Sequence, residues 1–152
     1  MALVDTGTIL TLSTIGMPFY SARGLKQVLT PVPALQNNRN NIRRTIGFSL
    51  VNLTPVYALK YYTKISADDI EGPAWDGIFP GFGPVDVGCV AELGYATGGT
   101  PQRPEVSGSS RNESGAPFVF YRPLLRMMVL SYDFEMDEWG AKRNWSMELE
   151  EM

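Results

Sequence analysis

Apolar side chains in this chain recur at every second position, in short runs bounded by glycine, proline and asparagine. That period constrains its fold more than any other feature. Leu59, Tyr61, Thr63 and Ile65 alternate with Lys60, Tyr62, Lys64 and Ser66. Val85, Val87 and Cys89 alternate with Asp86 and Gly88, and Trp145, Met147 and Leu149 with Ser146, Glu148 and Glu150. A repeat of two sends one set of side chains to one face of an extended strand and the other set to the opposite face. Ile46, Phe48 and Leu50, separated by Gly47 and Ser49, fit the same pattern and read as a half-buried strand, with Gly47 marking a bulge or a tight crossing.

The remaining segments fit between these. Residues 8–15 are rich in β-branched side chains and end at Gly16, which makes them a first strand or an N-terminal arm lying on a partner. Residues 25–30 form a short run stopped by Pro31 and Pro33. The asparagine-rich residues 36–41 are a loop, because asparagine bonds its own backbone and tolerates left-handed conformations. Residues 118–121 and 124–134 look like strands broken by Pro123, and residues 137–140 supply the turn into a last strand at 144–150. Windows 56–64 and 124–130 could be helical, but neither has both an N-cap and a glycine stop. The tally is about seven or eight short strands, which predicts an all-β, single-domain β-sandwich or barrel with long loops. Residues 1–19 would be the N-terminal strand or arm and residues 20–152 the β-domain, within the size of one ordinary domain.

Two long loops stand out. Residues 67–84 hold four glycines and three prolines, which forbid regular structure, yet they carry Trp75, Ile78, Phe79 and Phe82. Such a loop either folds back as a lid over the core or reaches into a partner. Residues 96–117 are rich in glycine, serine and proline and have little apolar content, the signature of a functional or mobile loop.

Composition narrows the chemistry. Histidine is absent, which removes the commonest general base, the commonest zinc ligand and the usual nucleophile–base triads. The one cysteine, Cys89, cannot form an intramolecular disulfide and sits in an apolar run, where a thiol behaves as a small core hydrophobe. No signal-peptide pattern opens the chain, and no apolar stretch is long enough to span a bilayer, so neither secretion nor membrane insertion is expected. The net charge of −3 is unevenly spread. Residues 1–67 carry seven Lys/Arg against Asp5 alone, whereas residues 68–152 carry six basic and fifteen acidic groups. Either the halves interleave and the charges mix, or the basic face of one molecule meets the acidic face of a neighbouring copy.

The candidate chemical sites are weak. Asp68, Asp69 and Glu71 before Gly72 offer carboxylates to a calcium ion, but the spacing is not that of an EF-hand loop, and a solvated turn is expected. Asp133, Glu135, Asp137, Glu138, Glu148, Glu150 and Glu151 could pair carboxylates across strands as a glycosidase does, but they fall on the polar side of alternating runs. Arg39, Arg43 and Arg44 with Tyr57, Tyr61 and Tyr62 are a basic–aromatic set of the kind that binds single strands, opposed by the acidic second half. Gly77 to Gly83 lacks the lysine of a phosphate loop. No catalytic residue, metal ligand or cofactor site is assigned. Trp75, Trp139 and Trp145 would serve a carbohydrate-binding module only if exposed and coplanar.

Several phrases resemble small structural proteins of tailed-bacteriophage virions. They are Tyr20-Ser-Ala-Arg-Gly24, Arg43-Arg-Thr-Ile-Gly47 leading to Leu50-Val-Asn-Leu53, Asp76-Gly-Ile-Phe-Pro-Gly81, Val90-Ala-Glu-Leu93, Phe120-Tyr-Arg-Pro123, and Asp137-Glu-Trp-Gly140 with residues 145–151. The resemblance spans residues 20–151 and rests on the order of the phrases. It implies a non-enzymatic virion component assembled in the bacterial cytoplasm, of the tail or tail tip, with head decoration or cement as the alternative. Its partners would be other virion proteins and copies of itself, not a membrane, a nucleic acid or a small molecule. A compact β-domain with aromatic loops suits such docking, and the residues expected at the protein interface are Trp75, Ile78, Phe79, Phe82, Arg43 and Arg44.

Overall fold

The computed structural model describes residues 7–18, 23–33, 42–53, 59–112, 115 and 117–152, and among these it has eleven strands and no helix. The strands are β1 (Thr11–Leu12), β2 (Lys26–Pro33), β3 (Ile42–Arg44), β4 (Leu50–Asn52), β5 (Leu59–Ala67) and β6 (Val85–Gly88). They continue with β7 (Leu93–Ala96), β8 (Arg111–Asn112), β9 (Phe118–Tyr121), β10 (Leu124–Met136) and β11 (Arg143–Glu151). All pairings are antiparallel. Six strands form the main sheet in the order β1-β6-β10-β11-β5-β2; β7-β9-β8 form a small sheet, and among the described residues β3 and β4 pair only with each other. The chain is therefore all-β and single-domain, with open sheets and no closed barrel.

The alternation read from the sequence positions the core. Thr63, Ile65 and Ala67 on β5 stand opposite Leu149, Met147 and Trp145 on β11, and all six are buried. Tyr62 and Lys64 on the reverse face stand opposite Glu150 and Glu148. Leu125, Met127 and Val129 of β10 and Val85 and Val87 of β6 extend the apolar face. Leu10, Leu12, Ile15, Ile70, Ile78 and Cys89 complete the cluster.

A bulge in β10 changes the phase of that strand. Val129 is opposite Leu149 but Ser131 is opposite Glu148, which leaves Leu130 as the extra residue. Odd residues face the core before it; afterwards Tyr132 and Phe134, opposite Met147 and Trp145, take that face. One inserted residue is enough for this, because side chains alternate with a period of two.

Several sequence expectations change here. Residues 8–15 contribute a strand of only two residues, but that strand is an edge of the chain's own main sheet, with Leu10, Leu12 and Ile15 buried. β2 does not stop at Pro31; it runs to Pro33, which an edge strand permits because its outer side needs no backbone donor. Window 124–130 is strand, as is the described part of window 56–64. The loop at 96–117 contains β8 and a bridge from Glu105 to Pro123. The asparagine-rich loop at 36–41 lies outside the described residues.

Candidate interaction site

The largest departure from the sequence reading lies at residues 42–53. Ile46, Phe48 and Leu50 are not one face of a half-buried strand. They belong to a hairpin whose strands pair as Ile42↔Asn52, Arg43↔Val51 and Arg44↔Leu50. Phe48 N–H donates to the Thr45 carbonyl at 2.9 Å and Thr45 N–H to the Ser49 carbonyl at 2.9 Å, which closes the turn. Gly47 is thus a turn residue. Phe48 holds φ at 65°, a left-handed conformation at the position where such turns favour glycine or asparagine. The Arg44 guanidinium supports the turn by donating to the Phe48 carbonyl at 3.0 Å.

This hairpin is apolar and open. Ile46 is 101 % exposed, Phe48 81 %, Leu50 63 % and Leu53 62 %. A two-stranded hairpin without a packing partner is marginally stable in water, so a solvent-facing row of large apolar groups on one marks a surface that another molecule covers. Arg43 and Arg44 are exposed on it and form no ion pair among the described residues.

Residues 68–84 take the other role open to an aromatic loop and fold back as a lid. Ile78 is buried in the core, which removes it from any surface role. Its carbonyl accepts a hydrogen bond of 2.6 Å from the Tyr132 hydroxyl. The Trp75 indole lies flat on the Tyr132 ring, with centroids 4.2 Å apart and planes 4° apart, and meets Trp145 edge-on at 5.8 Å and 71°. Gly81 N–H donates to the Val129 carbonyl and Val129 N–H to the Phe82 carbonyl, so the lid is stitched to β10 at the bulge. Phe82 packs partly buried against the core, and Phe79, 71 % exposed, alone of the four aromatic-loop residues faces solvent. Sequence reasoning left lid and anchor as alternatives because the partner of Trp75, Tyr132, is 57 residues away.

A second open surface was not singled out from sequence. The β10–β11 tip extends past the last β5 pairing, Trp145↔Ala67, through Glu135↔Asn144 and Met136↔Arg143. Phe134 is 53 % exposed, Met136 59 % and Trp139 94 %. Carboxylates interleave with them: Asp133, Glu135 and Glu138 are exposed, and Asp137 caps the turn by accepting from Ala141 N–H at 2.7 Å. The signal was present in the run Asp133-Phe134-Glu135-Met136-Asp137, where apolar and acidic residues alternate at the end of a strand.

The chemical candidates resolve into structure. Glu151 is bound by Arg103 through Oε1 at 2.8 Å and Oε2 at 3.3 Å, and its Oε2 also accepts Tyr61 N–H. Arg103 in turn lies over the Tyr61 ring at 5.5 Å. Glu148 accepts from Ser131 Oγ, Asp133 from Ser146, and Glu71 pairs with Arg143. Partial burial, followed by Glu148 and then Glu150, pushes the Tyr62 hydroxyl up to about 12. Among the described residues no group of His, Cys, Asp or Glu is arranged to hold a metal ion. Burial pushes the Cys89 thiol up to about 11, as expected of a core sulfur. Trp145 is buried while Trp139 stands open, so the three tryptophans do not present one coplanar platform for a sugar. Arg39 and Tyr57 lie outside the described residues. No helix among those described is long and apolar enough to cross a membrane. No protein-family model, curated protein or solved structure matches this chain.

Proposed function

We propose that this chain is a non-enzymatic structural protein that acts by assembling with other proteins, as a tail or tail-tip component of a tailed-phage virion. The observation that carries the assembly reading is the β3–β4 hairpin, whose apolar side chains Ile46, Phe48, Leu50 and Leu53 are all more than half exposed on a two-stranded element. Exposed apolar area on this scale is retained where a partner removes it from water. A left-handed phenylalanine at the turn supports the same reading, since strain of this kind costs about 1–3 kcal/mol and is kept where it serves a purpose. The virion assignment draws its support from the ordered phrases over residues 20–151.

The test is immunogold electron microscopy of purified particles with an antibody against this chain. Label along the tail or at its tip is expected. Label on the capsid would move the protein to head decoration, and particles without label would overturn the virion assignment.

A further inference from the structure

The chain leaves the main sheet for the open hairpin at one end of β5, and the open tip begins beside the other end. β3 and β4 fall between Pro33 and Leu59 in the chain, and these two residues pair with each other at one end of β2 and β5. The other end of β5, Ala67, pairs with Trp145, next to where the β10–β11 tip begins. The nine residues of β5 separate the two ends, about 26 Å at the rise of an extended strand. Their chemistry is complementary. Residues 42–53 hold two arginines and no acid, whereas residues 133–143 hold four acids, one lysine and one arginine, so the two elements carry charges of +2 and −2. Both elements carry large exposed apolar groups, Ile46, Phe48 and Leu50 on the hairpin and Phe134, Met136 and Trp139 on the tip.

We infer that these two surfaces bind each other between copies of the chain. The β3–β4 hairpin of one copy seats Ile46, Phe48 and Leu50 against Phe134, Met136 and Trp139 of the next, with Arg43 and Arg44 facing Asp133, Glu135 and Glu138. The inference rests on the assembly reading above and names its partner as a second copy. Because the two surfaces differ, the contact is head-to-tail; such contacts repeat into a ring when the rotation closes and into a filament when it does not. The charges set register and select the correct end, and the apolar groups supply the driving force.

Charge reversal tests this by sedimentation velocity on the full chain. Wild type is expected to associate. Arg43→Glu/Arg44→Glu alone and Glu135→Lys/Glu138→Lys alone should each weaken self-association at least tenfold while their circular dichroism and melting stay at wild-type values. Mixed in equal amounts, the two variants should associate as wild type does, because the reversed hairpin of one meets the reversed tip of the other and each unaltered surface also meets its normal mate. Trp139→Ala, at a position 94 % exposed, should weaken association without lowering stability. A wild type that stays monomeric at high concentration overturns the pairing, as does association that survives both reversals or a mixture that fails to recover. In each case the assembly reading stands or falls separately, on the particle labelling.

Discussion

Replacing Trp75 by alanine distinguishes a lid that belongs to the fold from a loop reserved for a partner. The indole is largely covered: it lies flat on Tyr132, meets Trp145 edge-on, and rests so close to Gly72 that a Cβ there would fall 2.9 Å from Nε1. A tryptophan covers about 150–250 Å², and about 150 Å² at roughly 25 cal/mol per Å² corresponds to about 4 kcal/mol. Residual burial in the unfolded chain lowers this to about 3 kcal/mol. The loss of the stacked contacts with Tyr132 and Phe134 and of the edge-on contact with Trp145 adds about 0.5–1.5 kcal/mol each at most, and local collapse offsets part of it. The expected loss is therefore about 3 kcal/mol, a fall in Tm of about 6–12 °C for a chain of this size. Urea unfolding of wild type and Trp75→Ala measures it, with amide exchange at Gly81 and Val129 reporting whether the lid opens before the sheet. A loss below about 1 kcal/mol with both amides still protected would refute the packing argument, since surface substitutions away from core features cost about 0.5 kcal/mol or less.

Two further outcomes follow from the core. A Cβ on Gly88 would fall 2.1 Å from Thr11 Oγ1, so Gly88→Ala should cost about 1–3 kcal/mol by pushing β1 from the sheet edge; Thr11→Ala in the same chain should recover most of the loss in chemical denaturation. Cys89 ionises in the unfolded chain near 9 but in the fold only at about 11. The native state therefore has its full advantage below pH 9 and loses it as pH rises toward 11, by about 2–3 kcal/mol in total. Cys89→Ala should lack this alkaline loss, which denaturant melts at pH 8, 9.5 and 11 would detect, and equal slopes for both proteins would refute it.

The strands were legible in the sequence wherever one face had to be buried. Thr63, Ile65, Met147 and Leu149 could be placed inward from the alternation alone, because a period of two leaves only two faces and burial selects one of them. The same period was misleading at Ile46, Phe48 and Leu50. Alternation does not by itself make a strand: Ile46 and Phe48 lie in a hairpin turn and Leu50 on its return strand, and all three meet solvent. Residues 68–84 announced by their aromatic content that they must dock somewhere, but the choice of Tyr132 as the surface on which Trp75 rests depended on the bulge at Leu130 turning that ring inward. The uneven charge was visible in composition; that Arg43 and Arg44 stand on an exposed hairpin, while Asp133, Glu135 and Glu138 stand on an exposed strand tip, was not.

What the chain alone determines is therefore local: extended strands, turns at glycine and proline, a buried unreactive thiol at Cys89, and no histidine chemistry. Tertiary structure decides the rest. Strand order and register bring together residues far apart in sequence, and only then does an apolar side chain become either core, as at Ile78, or open surface, as at Phe48. The physical reason is that hydrophobic burial is non-directional: the sequence states how much apolar surface must leave water, and the packing of distant strands decides which part the protein covers itself.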